Sequence, residues 1–330
     1  MNTYTWQYIQ NHTNETKRLL GIDYEQLGQL LELGKLLHQR QREEIEKSKK
    51  RLIQSGGGNH AKLSEEEQII LMLVYLRHNI TFQLLGMLFQ VSESTAHNLF
   101  NYWQKIFEGE LPYSLLEQVK KSLEEAEQVR EDLTDYELIV DSAEQAIERP
   151  SDYQEQKKCY SGKQKRHTFK NQFIVLPSGN DIVDVVIGEN GPTSDISICR
   201  QTLNKFESEQ LLIGDKAYVG EAQIITPSKK PKNGELTTQE KEENKELSSR
   251  RIYVEHLIRV IKIFKVAQER FRLRKGRYKS VILTVCGLVR LRIGSLILKA
   301  IKSADLDETI DVELSHSFEG KLDLVPSNTY

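Results

Sequence analysis

The sequence predicts a mixed α/β fold in which an all-helical region precedes a sheet flanked by helices. Two observations support this prediction. In the first part of the chain, apolar residues recur at the three- and four-residue spacing of a helix, starting with Leu27, Leu30, Leu31, Leu33 and Leu37. From residue 136 onward, short runs rich in Val and Ile alternate with turn residues, which is typical of strands. The chain therefore divides into a helical front part and a sheet-containing back part.

The helical part is predicted to comprise three segments. Residues 1–59 form an N-terminal helical region that ends in the Gly-rich joint SGGGN. Residues 60–110 begin with a capping box at Ser64 and Glu67, followed by a helix, a shorter helix from about Thr81 to Phe89, a tight turn and another helix from about Ser94 to Phe107. Residues 111–135 form an acidic helical linker.

The last two helices of residues 60–110 have the size and spacing of a helix-turn-helix, whose second helix lies in the major groove of DNA. We expect five positions of this second helix to be exposed: Glu93, Thr95, His97, Asn98 and Asn101. Thr95 and Asn98 are the candidate DNA contacts among them. An ordinary antiparallel helix pair would show the same pattern, so this segment alone leaves both interpretations open.

Five strand-like runs follow in residues 136–302: YELIVD (136–141), HTFKNQFIVL (167–176), DIVDVVIG (181–188), EQLLIGD (209–215) and EAQIIT (221–226). The turn LPSGND (176–181) predicts that the second and third runs are antiparallel neighbours. Helices are predicted at 195–207, 238–247 and 249–267. This order of strands and helices is that of an RNase-H-like (ribonuclease-H-like) domain.

Three acidic residues lie at the edges of apolar elements in this domain. Asp141 ends the first predicted strand, Asp215 ends the fourth, and Glu255 lies in a helix after the fifth. If the first and fourth strands are parallel neighbours, the two aspartates lie side by side, and a helix across that edge brings Glu255 to them. An Asp at one strand end is more commonly a turn or cap residue, so the prediction rests on the combination of the three.

Carboxylates placed together repel one another unless cations neutralise them. Oxygen ligands with open positions suit Mg²⁺ or Mn²⁺, and two such ions can activate an attacking oxygen and stabilise a leaving one in phosphoryl transfer. The sequence therefore predicts that Asp141, Asp215 and Glu255 bind Mg²⁺, or Mn²⁺, as two ions.

Charge is segregated along the chain although its net value is only −2. Between Arg250 and Lys302 there are fifteen Lys and Arg residues against two acids, whereas the predicted flexible tail, 303–330, carries seven acids against one Lys. Such a basic block indicates a polyanion-binding face. Six of its residues are expected to follow a DNA backbone: Arg270, Arg272, Arg274, Lys275, Arg277 and Lys279.

The chain shows no sign of a membrane protein or a secreted one. Arg290 and Arg292 interrupt the apolar run 280–298, the N-terminus lacks the apolar segment of a signal peptide, and the three cysteines form no CxxC pair. We therefore expect a cytoplasmic protein that is associated with the nucleoid when bound to DNA.

Five ordered blocks resemble those of DDE transposases: VDSAEQAIERP (140–150), YSGKQKRHTFKNQ (160–172), GPTSDISI (191–198), GDKAYVG (214–220) and RIYVEHLIRVIK (251–262). Within that family the blocks are most similar to insertion-sequence transposases related to Harbinger-type elements, which carry a helix-turn-helix upstream. The resemblance implies an RNase-H-like fold, divalent metal, and cleavage and joining of DNA at transposon ends. By position it implies the triad Asp141, Asp215 and Glu255.

The resemblance also implies two DNA-binding residues on the helix that bears the glutamate. The family has a basic residue four positions before this Glu and a Lys seven positions after it, and Arg251 and Lys262 match. Three positions depart from the family pattern, because Ser248, Ala217 and Ser194 stand where Tyr, Gly and His are common. These departures leave the triad complete.

The basic segment SGKQKRH (161–167) is a further candidate. The resemblance suggests that Lys163, Lys165 and Arg166 contact the DNA backbone, although a solvated hairpin tip accounts for the charges equally well. Asp195 opens a predicted helix, and N-capping is preferred over catalysis for it.

The favoured interpretation is a metal-dependent DNA transposase. Its partners would be double-stranded DNA, both transposon ends and target, and further copies of itself in a homodimer or higher homo-oligomer. One alternative is an endonuclease of the same fold that cuts without joining. Another is a catalytically inactive helix-turn-helix regulator, which the complete triad disfavours, and the helix-turn-helix disfavours an RNase H that acts on RNA.

Overall fold

The computed structural model describes residues 4–48 and 61–298. The predicted Gly-rich joint and the acidic tail lie outside the described residues. Within the described part, no helix is both long and apolar enough to cross a membrane.

The front part of the molecule is helical, as predicted. Its helices are α1 (Tyr4–Asn11), α2 (Thr16–Leu20), α3 (Tyr24–Ser48), α4 (Glu65–His78), α5 (Phe82–Phe89), α6 (Glu93–Glu110), α7 (Leu115–Val119) and α8 (Leu123–Thr134).

Side-chain caps fix where the helices of the helix-turn-helix begin. The Ser64 hydroxyl accepts from the Glu67 amide at 3.3 Å while the Glu67 carboxylate accepts from the Ser64 amide at 2.9 Å, which confirms the predicted capping box. The side-chain hydroxyls of Thr81 and Ser92 each accept a backbone hydrogen bond and so cap α5 and α6. Between them, Gln90 adopts a left-handed conformation that ends α5 and makes the tight turn.

The back part contains a mixed sheet of β1 (Leu138–Ala146), β2 (Tyr160–Ser161), β3 (Arg166–Val175), β4 (Ile182–Asn190), β5 (Leu212–Ile213) and β6 (Ile224–Ile225). Five of these strands run in the order β4-β3-β1-β5-β6, and β2 pairs with the start of β3. β3 is antiparallel to both β1 and β4, whereas β5 is parallel to β1 and to β6. This is the topology predicted for an RNase-H-like sheet, including the antiparallel hairpin of β3 and β4.

The helices of the back part are α9 (Tyr153–Cys159), α10 (Asp195–Thr202), α11 (Thr238–Lys262), α12 (Lys265–Gln268) and α13 (Tyr278–Ile293). Three predictions about them were wrong. The helix from Asp195 ends at Thr202 rather than 207, the two helices predicted at 238–247 and 249–267 are one continuous helix α11 followed by the short α12, and neither α9 nor α13 was predicted.

One hydrophobic core runs through both parts of the molecule. Residues of α3, α4 and α6, such as Leu30, Ile69 and Trp103, belong to the same buried cluster as Val254 on α11 and Val285 on α13. A second, smaller cluster on the other face of the sheet contains residues of α7, α8 and α10. The helix-turn-helix is therefore packed against the sheet-containing part through a shared core.

A fully buried ion pair joins distant segments of the chain. Arg290 on α13 donates to Asp181 at 2.7 and 2.9 Å, and its remaining donors reach the carbonyls of Pro112 and Ser114 and the side chain of Gln118 at 2.9–3.0 Å. Both charged side chains have no solvent exposure. Because every donor is used, the guanidinium ties the linker before α7 and the turn between β3 and β4 to α13.

Candidate active site

Asp141 lies in the interior of β1 rather than at its end, which corrects the sequence prediction. β1 continues to Ala146 because its second half pairs with β3, where Asp141 lies opposite Phe173. On the other side, β5 pairs with β1 only at Leu138 and Ile139. Among the described residues, the β1 edge therefore has no strand partner on the β5 side between Ile139 and Ala146, whose carbonyl accepts from the Phe271 amide at 2.9 Å.

Asp215 follows β5 and reaches this open edge. Ile213 pairs with Ile139, so continuing the parallel register by two residues places Asp215 beside Asp141. Asp215 also accepts a hydrogen bond from the Ala217 amide at 2.8 Å and so caps the single helical turn Lys216–Tyr218. The structure thus brings the two predicted aspartates together.

A buried hydrogen-bond network holds the Asp215 turn against β1. The hydroxyl of Tyr218, which is 1% exposed, lies 2.9 Å from the Ser142 hydroxyl and accepts from Gln172 Nε2 at 3.2 Å. Gln172 also donates to the Asp195 carbonyl at 3.0 Å. Because Ser142 is next to Asp141 and Tyr218 is three residues after Asp215, the network fixes the relative position of the two carboxylates.

Glu255 is brought to the same edge by α11. Val254, Leu257, Ile258 and Ile261 are buried where this helix packs on the sheet, whereas Glu255 is exposed. Glu255 lines a cavity of about 410 Å³ whose wall also includes Asp141, Asp195, Lys170 and Lys262. The cavity lies along the open edge of β1, and the glutamate faces it from α11.

The electrostatics of Asp141 involve both of the other acids. Burial raises the pKa of Asp141, and the negative charges of Asp215 and Glu255 act in the same direction. The Ser142 amide at 2.8 Å and the Arg251 guanidinium at 3.5 Å lower it in part. Asp141 is therefore a carboxylate for which additional positive charge would be strongly favourable.

The donor chemistry fits a hard divalent ion, although no group of three or more His, Cys, Asp or Glu side chains within residues 4–48 and 61–298 is already arranged to bind one. Asp141, Asp215 and Glu255 provide only carboxylate oxygens, the ligands that Mg²⁺ and Mn²⁺ prefer. Arg251 is the cation beside Asp141 in this arrangement. The three carboxylates are thus the residues that would bind metal, with Arg251 as their counter-charge in its absence.

The predicted DNA-binding residues fall into three groups. Lys163 and Lys262 line the cavity from opposite sides, from the turn before β3 and from α11. Lys165 and Arg166 are exposed near that turn, and Lys165 has a left-handed backbone. Arg251, in contrast, is largely buried against Asp141.

On the helix-turn-helix, Thr95 and Asn98 are exposed on α6, as predicted. Asn101 was predicted to be exposed as well, and this was wrong. Asn101 is partly buried, and its side-chain oxygen Oδ1 accepts a hydrogen bond from Arg277 Nη1 at 2.8 Å.

Asp195 does not cap α10, which corrects another prediction. Ser194 is the N-cap residue, and Asp195 instead pairs with the buried ammonium of Lys170 at 3.0 Å, which also donates to the Thr193 carbonyl at 2.6 Å. Both residues line the cavity. The pair was missed because Lys170 lies in the middle of β3, 25 residues before Asp195, and only the folded arrangement of β3 and α10 brings the two side chains together.

Arg259 was also missed. It is exposed, lines the cavity beside Glu255 and Lys262, and makes no hydrogen bond or ion pair with another described residue. Its position four residues after Glu255 was the available signal, since residues four apart lie on one face of a helix. α11 thus presents two cations, Arg259 and Lys262, beyond the glutamate.

Comparison with known proteins agrees with this geometry. Residues 140–290 match the family model described as DDE superfamily endonuclease, and residues 61–112 match the helix-turn-helix of DDE superfamily endonuclease. A probable transposase for insertion sequence element IS702 from Microchaete diplosiphon is 32% identical over 225 residues, which cover 67% of this chain and 78% of that protein.

Solved structures offer only weak similarity. A Mos1 transposase paired-end complex with left transposon end covers 71% of this chain and 88% of its own at 10% identity and a TM-score of 0.20, and a pre-cleavage Mos1 transpososome gives a TM-score of 0.18. Similarity at this level carries no argument about fold or function.

An RNase-H-like sheet with two aspartates at one edge, a glutamate helix across that edge and an upstream helix-turn-helix together define the DDE class of nucleases. The chain belongs to the DDE superfamily endonucleases and, within them, is homologous to an insertion-sequence transposase. Its more specific relation to Harbinger-type elements stays a prediction.

Proposed function

We propose that the chain is a DNA transposase that binds terminal inverted repeats, cleaves the DNA there and joins the resulting 3′ ends to target DNA. The observation that carries the proposal is the grouping of Asp141, Asp215 and Glu255 at the open edge of β1. The 32% identical probable transposase supports the same class of reaction.

Asp141, Asp215 and Glu255 would hold divalent metal, Mg²⁺ or Mn²⁺, as two ions. When bound, the ions supply activation of the attacking oxygen and stabilisation of the leaving oxygen in phosphoryl transfer. The chain itself supplies geometry, because Tyr218 and Ser142 fix the two aspartates relative to each other.

Cations on both sides of the cavity would position the DNA strand. Lys163 lines the cavity from the turn before β3, and Arg259 and Lys262 line it from α11. Phosphates on either side of the cleaved bond would therefore lie near positive charge. Lys165 and Arg166 would extend this contact along the backbone.

Thr95 and Asn98 would contact the duplex from α6, the second helix of the helix-turn-helix. Arg251, which pairs with Asp141, would contact a phosphate of the bound strand.

The test is incubation of the full-length protein with labelled duplexes that carry the ends of its own DNA element, with and without Mg²⁺. We expect Mg²⁺-dependent cleavage followed by joined products, and we expect Asp141→Asn and Asp215→Asn to lose cleavage at least 100-fold. Asp135→Asn, an exposed carboxylate after α8, is the matched control and should keep full activity.

Each other result has a defined meaning. Cleavage without joined products would favour the endonuclease alternative, and end binding without cleavage would favour the inactive regulator. Retained Mg²⁺-dependent cleavage in either Asp→Asn variant would remove that residue from the site. We further propose that two or more copies act together on a pair of ends, which the mass of the protein–DNA complex in analytical ultracentrifugation would test.

A further inference from the structure

A basic segment, residues 269–280, lies along the helix-turn-helix and is anchored to it at both ends. At its start, Asn79 at the end of α4 donates to the Glu269 carboxylate at 2.9 Å. Towards its end, Arg277 donates to the side-chain oxygen Oδ1 of Asn101 at 2.8 Å, and the Ser280 hydroxyl donates to the Glu108 carboxylate at 2.6 Å. Residues distant in sequence thus become one continuous surface with α6.

The middle of the basic segment also lies close to the helix-turn-helix. Burial raises the pKa of Tyr75 to about 12, and the positive charge of Arg272 lowers it in part, so the two groups interact electrostatically. Tyr75 stacks on Phe82 of α5 at a centroid distance of 4.6 Å and contacts Phe100 of α6 at 4.3 Å. The positive charge of Arg272 therefore acts on the aromatic cluster that joins α4, α5 and α6.

The six cations of the basic segment differ in their partners. Arg270 pairs with Glu148 at 3.2 Å, Lys275 pairs with Glu155 at 2.7 Å, and Arg277 is used in bonds to α6. The other three are exposed, and their side chains make no hydrogen bond or ion pair with any residue in the described part of the chain: Arg272, Arg274 and Lys279. Free cations lose little when they bind a phosphate, because they give up no protein partner.

We propose that the helix-turn-helix and the basic segment form one DNA-binding surface, in which Arg272, Arg274 and Lys279 contact the backbone of the same duplex that α6 contacts through Thr95 and Asn98. The inference rests on the proposed function for the identity of the DNA. It goes beyond that function because it narrows the six expected backbone contacts to three and joins them to α6 in one surface. It follows that the catalytic part itself takes part in holding the duplex that the helix-turn-helix binds.

The first test is the salt dependence of binding to one short duplex, measured by fluorescence anisotropy without divalent metal so that no cleavage occurs. Each phosphate contact contributes about 0.9 to the slope of log K against log salt for duplex DNA. Replacing Arg272, Arg274 and Lys279 together by Gln should therefore lower the slope by about 2–3 units. The matched control replaces Lys121, Lys229 and Lys232 by Gln, which removes the same charge from exposed positions outside this surface and should change the slope by less than about 1.

The second test asks whether α6 and the basic segment contact the same duplex. All three native cysteines are buried, so Asn98→Cys or Arg274→Cys introduces a single exposed thiol. With duplexes that carry a thiol tether at one phosphate, both variants should form disulfides with one duplex, at positions within about one helical turn, roughly 34 Å.

Equal slopes for the triple variant and its control, or an Arg274→Cys crosslink only when a second duplex is added, would overturn the proposal. Neither test uses cleavage. If the transposase proposal failed, the salt dependence and the crosslinks could still be interpreted. If the proposed DNA-binding surface failed its tests, the proposal of metal-dependent cleavage would be unaffected.

Discussion

Asp141 shows how a single side chain combines a cost in stability with a role in chemistry. Its carboxylate is buried beside two others, and a guanidinium 3.5 Å away offsets the repulsion only in part. Such a raised pKa is common where charge is held ready for a ligand. The residue therefore destabilises the metal-free protein at the pH at which it would bind metal.

This predicts an effect of Asp141→Asn on stability that depends on pH. The folded pKa lies above the unfolded one, so the protonated form contributes stability that is full below the ordinary pKa and is lost as pH rises through the raised value. In EDTA at pH 7 to 8, Asp141→Asn should therefore be more stable than the parent protein. The difference should shrink as pH falls towards the ordinary Asp range, as measured by urea unfolding.

Asp135→Asn, on an exposed carboxylate, is the control and should track the parent at every pH. A stability difference that stays constant or grows towards low pH would contradict the assigned cause.

Tyr218 provides a second prediction at this scale. Tyr218→Phe keeps the buried ring but removes the hydroxyl that joins Ser142 and Gln172. We expect a loss of about 1–2 kcal/mol in unfolding free energy. Cleavage should fall more than DNA binding and should need more Mg²⁺ for half-maximal rate, because the two aspartates are no longer held together.

Tyr278→Phe is the matched control, since that hydroxyl is equally buried and bonds Asn171 and Gln145 at 2.8–2.9 Å on the other face of the sheet. It should lose similar stability without shifting the Mg²⁺ requirement. Identical shifts in both variants would mean that Tyr218 acts only through stability.

At the scale of elements, α11 organises the site because it is long. Its buried residues Val254, Leu257, Ile258 and Ile261 fix one face on the sheet, and the helical period then places Glu255, Arg259 and Lys262 together at the cavity. The helix begins at a capping box formed by Thr237 and Glu240, well before the residues that matter for chemistry. Its first half extends away from the site as a polar helix.

Lys262 should act on the DNA strand rather than on metal. At a rise of about 1.5 Å per residue it lies roughly 10 Å along the helix from Glu255, too far for a shared ligand but suited to a neighbouring phosphate. Lys262→Ala should spare metal binding and end recognition and reduce cleavage and joining together, by about 10-fold or more, in assays at limiting DNA and moderate salt.

Lys265→Ala is the comparison, because Lys265 belongs to α12 and donates to Gln268 at 2.6 Å. Lys265→Ala should reduce cleavage and joining less than Lys262→Ala does. Parent-like activity of Lys262→Ala on cognate ends would remove that residue from the site.

Most elements could be predicted from sequence, because apolar periodicity and caps are local signals. The five main strands and the two helices of the helix-turn-helix followed from such signals. The grouping of Asp141, Asp215 and Glu255 instead depended on an assumed sheet topology and on resemblance to a family, because the three acids are distant in sequence. The continuation of β1 past Asp141 could not be predicted, because its second half is polar and is held in the sheet by pairing with β3. The Lys170–Asp195 ion pair could not be predicted either, because only the folded arrangement of β3 and α10 brings the two residues together.

For the whole molecule, the shared core makes the helical front part and the sheet unfold together. Both tryptophans, Trp6 and Trp103, lie in the front part, and Trp103 is fully buried. The buried Arg290–Asp181 pair strengthens the connection between the linker and α13. A chain with separable units would instead show two transitions.

We therefore predict that tryptophan fluorescence and far-UV circular dichroism report one coincident urea transition. Asp181→Asn should shift both probes together by about 3–5 kcal/mol, because it leaves the Arg290 charge buried without its counter-ion. Adding Arg290→Met to Asp181→Asn should recover part of that loss. A fluorescence transition separate from the dichroism transition would show that the front part unfolds alone.

The open edge of β1 has a consequence for aggregation. A strand edge with free backbone groups is a template on which another chain can add a strand, and charged residues on the edge are a common defence. Asp141 and Glu144 lie on the stretch of β1 that β5 leaves uncovered, so their charges oppose the addition of a foreign strand there. The Asp141 charge proposed for metal binding thus also protects the protein whenever it carries neither metal nor DNA.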